Sequence, residues 1–171
     1  MNPQSLSDSA EYSFQLLLRI RHPSLDAEEV TRALDLEPEH AANAGRSISP
    51  SGKESLHSET YWLATLPTPT LHEMSAWVVE PQVIASNVVR AIPGLSKEAR
   101  AALGQTASIY DLHLLWWLKK LDSKTAFLKR INEEKGTVTL VLQRTNRSVP
   151  FTITPTLARR LVDIGADFEI D

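Results

Sequence analysis

Cysteine is absent from the 171-residue chain, which removes disulfides, thiolate nucleophiles and thiolate metal cages from consideration. Long apolar runs are missing too: no stretch approaches the ~20 residues that span a bilayer. The opening MNPQSLSDSAE is polar and acidic, without the basic-then-apolar order of a signal peptide. A soluble, cytoplasmic protein is therefore the expectation. Gly45 and Gly52 lie among Ser47, Ser49, Ser51, Ser55 and Ser58, yet they form neither a G-x-S-x-G elbow nor a phosphate-cradling loop. No internal repeat of the solenoid or propeller kind is visible. The formal net charge of −3 argues against a general binder of nucleic acid or anionic membrane. Charge is nonetheless uneven. Residues 1–105 carry 13 acids against 8 bases, and residues 106–171 carry 8 against 10. Those later bases are spread from Lys119 to Arg160 over several expected elements, as on a solvated face.

What is present is alternation and capping. Gly136–Asp171 reads as a β-hairpin, a capped helix and a closing strand. Val138, Leu140 and Leu142 alternate with Thr139, Val141 and Gln143, and Val149, Phe151 and Ile153 alternate again beyond a Thr145–Ser148 turn. Thr154-Pro155 is an N-cap followed by proline at the first helical position. Leu157, Ala158, Leu161 and Val162 make the expected stripe, and Gly165 suits the left-handed residue that ends a helix. Phe168 and Ile170 form a last short strand. Near the other end, Tyr12, Phe14, Leu16, Leu18 and Ile20 mark a strand long enough for a central position. His22-Pro23 stops it. Asp26 then caps a helix, with Glu29 as its capping-box partner and Leu25 and Val30 spaced for a hydrophobic staple.

Residues 1–10 read as a loose tail before a single domain, 11–171. From Glu37 to about Ser58 no period of either kind is found, so a long loop is expected, of the kind that is often functional. Tyr61–Leu66 resumes as a strand. Residues 70–105, with a Thr70/Glu73 capping box and a stripe over Met74, Trp77 and Val78, read as an inserted helical segment. Over 109–121 a helix puts Tyr110, Leu114, Trp117, Leu118 and Leu121 on one face, and a strand would bury five consecutive apolar residues on both faces. The helix accounts for more. Asp122 or Ser123 caps a further helix with Phe127, Leu128 and Ile131 inward. The whole implies an α+β fold: a ferredoxin-like or split βαβ sheet of about five strands, with helices on one face and the inserted segment at 70–105.

Candidate chemistry is sparse. His40 and His57 share the 37–58 stretch with Glu37 and Glu39, and Glu59 follows it, without the spacing of a metal cage. Arg46 and Lys53 are the best cationic candidates for a ligand anion. His57 and Trp62 complete a conceivable site under that loop. Trp77, on the inserted segment, is the candidate hot spot for a partner. No catalytic residue, metal or cofactor is indicated.

The string R-H-P-S-L-D-A-E-E-V-T-R-A-L-D-L-E-P ending at Pro38, Gly45-Arg46, the Tyr61-Trp62 strand and the closing T-I-T-P-T-L-A-R-R-L-V-D-I-G-A-D-F-E-I-D resemble a family of small bacterial domains of unknown function. The likeness covers about residues 11–66 and 109–171. Some members of that family resemble immunity or accessory proteins of bacterial toxin systems, and no catalytic residues come with it. Two classes of function remain. One is a non-catalytic module that binds another protein or itself. The other is an enzyme or small-ligand sensor with its site under loop 37–58. A nucleic-acid module is disfavoured by the lack of aromatics within a basic strand.

Overall fold

A computed structural model of the protein describes residues 14–48, 54–69, 109–144, 153 and 155–171. The tail 1–10, the segment 70–105 with Trp77, Phe151 and the Thr154 cap lie outside these residues. The strand expected from Tyr12 is present from Phe14 to His22 (β1), and it is central. It lies between β5 (Thr60–Leu66) and β6 (Thr137–Arg144), antiparallel to both. A three-residue β2 (His40–Ala42) pairs antiparallel outside β5. On the far side β7 (Asp167–Ile170) runs parallel to β6. The result is a five-stranded mixed sheet in the order β2-β5-β1-β6-β7. Both edges of β6 are thus occupied, by β1 and β7. The hairpin partner expected at 149–153 lies outside the described residues except for Ile153, which is exposed.

Register explains why the core lies on one side of this sheet. Leu16, Leu18 and Ile20 pair with Leu66, Ala64 and Trp62 on one flank and with Leu142, Leu140 and Val138 on the other. Paired residues share a face, and all nine are buried. The helices cover that face. In α1 (Ala27–Leu34) Ala27, Val30 and Leu34 point inward, and in α3 (Thr125–Glu133) Leu128 and Ile131 do. In α4 (Pro155–Ile164) the buried residues are Leu157, Leu161 and Ile164. These join the sheet residues in one hydrophobic cluster.

The α4 stripe corrects the sequence expectation. Ala158 and Val162 face solvent, Val162 at 75% exposure, because the helix is rotated to spend its third contact on Ile164. Pro155 begins this helix as anticipated. Its end is a Schellman motif: Gly165, at φ +72°, donates to Val162 O at 3.0 Å, and Ala166 donates to Leu161 O at 2.9 Å.

α2 (Ile109–Leu121) settles the helix-or-strand ambiguity in favour of helix. It is buried more completely than a one-sided stripe implies, since every residue from His113 to Leu118 is buried. That is why its sequence looked like a doubly buried strand. A 3₁₀ turn, Asp122–Lys124, leads into α3 without any side-chain cap. Asp122 instead pairs with Arg160 of α4 at 3.2 Å.

The stretch 37–58 is not the loop its composition suggested. Besides β2 it holds β3 (Gly45–Ile48) and β4 (Glu54–His57), an antiparallel ribbon that forms a separate two-stranded sheet. Strands this short carry no readable alternation.

Candidate functional site

The arm formed by β3 and β4 grows from a pinned base. Asn43 Oδ1 accepts from Ala27 N, the first residue of α1, at 2.7 Å. Buried Thr60 accepts from Ala44 N through Oγ1 at 2.9 Å. Glu39 Oε1 accepts from the Thr65 hydroxyl. Gly45 then turns at φ +99°, a backbone conformation other residues rarely adopt. Beyond that turn no strand of the five-stranded sheet pairs with the arm. Leu56 on β4 is 81% exposed, the most exposed large apolar side chain among the described residues.

Of the three candidates assigned to this region by sequence, two lie on the ribbon: Arg46 shares its rung with Leu56, and His57 shares the next with Gly45. Trp62 belongs to the other sheet. It is fully buried opposite Ile20, and its Nε1 donates to Thr31 Oγ1 of α1 at 3.0 Å. A buried indole needs such a partner, and here the bond fixes α1 on β5.

Two further histidines are tightly constrained. His22 ends β1 and is buried. Its Nδ1 accepts from Leu25 N at 2.7 Å and from Ser24 N at 3.1 Å. The ring proton therefore sits on Nε2, which faces Glu134 Oε2 at 3.3 Å as an electrostatic contact rather than an aligned hydrogen bond. With both nitrogens committed, His22 has no lone pair to offer a substrate. It is the organiser of the β1–α1 turn. Around it Arg130 binds Glu29 and approaches Glu134 at 3.7 Å. The Glu29 hydrogen bond first, and then the two carboxylate charges, hold the Arg130 guanidinium above its ordinary proton affinity. Glu29 thus serves a partner 101 positions away rather than the capping box expected of it. Asp26 caps α1 alone, accepting from Glu28 N at 2.7 Å.

The second is His113 in α2. Its Nε2 lies 3.2 Å from Pro67 O, the same carbonyl that accepts from Trp117 Nε1 at 3.0 Å. Burial holds its pKa below the ordinary 6.5, although the carbonyls of Pro67 and Leu66 pull the other way.

The sheet's second face carries no described helix. Arg19 reaches across it to Glu169 on β7, and Arg21 pairs with Glu59 at 3.5 Å while lying over the Tyr61 ring. Leu17, Thr139 and Val141 form its buried centre. Alternation in β1 and β6 made these positions readable, but the ion pairs of Arg19 with Glu169 and of Arg21 with Glu59 were not. Among the described residues no cluster of three metal-ligating side chains occurs, and no helix is long and apolar enough to cross a membrane. No family model, curated protein or solved structure matches the chain. Function must be argued from the geometry alone.

Proposed function

We propose that this is a non-catalytic interaction protein whose partner is another protein or a second copy of itself, contacted through the β3–β4 arm. The observation that carries this reading is Leu56, at 81% exposure on a two-stranded ribbon with no strand of the main sheet beside it. A large aliphatic side chain held out on an anchored ribbon gains about 1.5–3 kcal/mol when a partner covers it. Two other residues support the same reading. His22 is locked by backbone donors and Trp62 is spent in the core, whereas an enzyme or sensor under 37–58 would need Trp62 at its site.

The resemblance to small bacterial domains of the immunity or accessory kind belongs to this proposal, as does a cytoplasmic setting without nucleic-acid partners. So does the kinship with ferredoxin-like, split βαβ sheets. Central β1 between two antiparallel neighbours under a one-sided helical layer supports that kinship. The parallel β6–β7 pair, joined directly through α4, sets the chain apart from it. Trp77, outside the described residues, remains the second contact proposed. Changing Leu56 or Trp77 to alanine should weaken a complex or self-association roughly tenfold or more while shifting the melting temperature little. Turnover of a substrate that is abolished by changing Arg46 or His57 would replace this reading with the loop-site enzyme.

A further inference from the structure

One carbonyl ties α2 to the end of β5: Pro67 O, just past Leu66, receives both Trp117 Nε1 and His113 Nε2. Residues four apart lie on one helix face, so α2 grips this carbonyl with two side chains at once. To donate from Nε2, neutral His113 must leave Nδ1 as a bare acceptor. That atom is buried without a hydrogen-bond partner in a ring only 3% exposed. Phe14 from β1 meets the ring edge-on, with centroids 5.3 Å apart. The carbonyls of Leu66, at the end of β5, and of Pro67 face it, and among the described residues no ionised side chain contributes to its proton affinity. A second proton could go only to Nδ1, which is cut off from solvent, so the charged ring would be desolvated.

We propose that His113 is an acid-sensitive latch: its protonation undocks α2 from the end of β5 while the sheet stays folded. Because burial lowers the folded-state pKa, the docked form is fully favoured above the ordinary value of 6.5 and loses stability as pH falls below it. The opening equilibrium then rises about tenfold per pH unit until the docked ring itself titrates. His22 with Glu134 and Arg130 lies at the opposite end of β1 from Phe14, which gives the sheet an internal control.

The test is amide hydrogen exchange from pH 7.5 down to 5 on the full chain, corrected for intrinsic rates, for wild type and His113→Gln. In wild type the amides of 113–118 should lose protection about tenfold per unit below pH 6.5, and those of 16–20 should keep theirs. His113→Gln, which keeps a donor for Pro67 but cannot charge, should show a flat profile. Equal loss in β1, no loss in α2, or the same loss in the variant would overturn the latch. Should the variant not fold, nitrogen NMR of wild-type His113 decides: a bare Nδ1 and a midpoint well under 6.5 are expected, and a midpoint at or above 6.5 overturns it.

Discussion

Replacing Gly136 by alanine tests the joint between α3 and the end of β1. That helix ends in a Schellman motif, with Lys135 donating to Asn132 O at 3.0 Å and Gly136 to Ile131 O at 2.8 Å. The left-handed position is Lys135, at φ +67°, not the glycine beside it. Gly136 is needed for a different reason. A Cβ there would stand 2.7 Å from Arg21 O, His22 Cδ2 and Ile131 Cγ2. None of the three can yield: Arg21 O belongs to strand backbone, His22 is clamped by two backbone donors, and Ile131 is fully buried. Overpacking of this kind costs about 2–3 kcal/mol, or roughly 4–12 °C in melting temperature at this chain length. Lys135→Gly should move the other way. Relief of left-handed strain returns about 1–2 kcal/mol, less the added entropy of an unfolded glycine, for a net gain of roughly 0.5–1 kcal/mol. Thermal melts followed by circular dichroism read both. A Gly136→Ala protein melting with wild type, or a Lys135→Gly protein that is clearly destabilised, would refute the assignment of roles to these two neighbours.

Leu140→Ala removes a fully buried side chain from the central face of β6 and should cost about 2–5 kcal/mol in denaturant titrations. Val162→Ala, on the exposed face of α4, should stay within about 0.5 kcal/mol of wild type. Asp26→Ala removes the N-cap side chain of α1, leaving Asn43 on the Ala27 amide, and should cost about 1 kcal/mol, whereas Glu29→Gln should leave the cap intact and loosen only the tie to Arg130.

The sequence was most legible where a local rule and a tertiary need coincide. Strand β1, the Asp26 cap, Pro155 at the start of α4 and Gly165 at its end follow from alternation, capping and left-handed geometry, and each appears as read. Legibility failed where distant residues decide. Glu29 looked like a capping-box residue because the spacing fits, but Arg130 outcompetes the local donor. Val162 looked like core because it neighbours Leu161, yet the rotation of α4 is set by what Ile164 packs against. β3 and β4 were invisible because a short polar ribbon leaves no hydrophobic period. The histidines were judged by spacing to one another, and what defines them is spacing to backbone: His22 to the amides of Ser24 and Leu25, His113 to a carbonyl 46 positions earlier. No linear motif encodes such contacts.

The most direct measurement of the central claim places a photo-crosslinking amino acid at position 56 of the full chain, and in a control protein at exposed Ala126 on α3, with irradiation in the native host. The arm-binding account predicts one discrete protein adduct, or a dimer of this chain, from position 56 and none from position 126. No adduct at 56, or the same adducts from both positions, would contradict it.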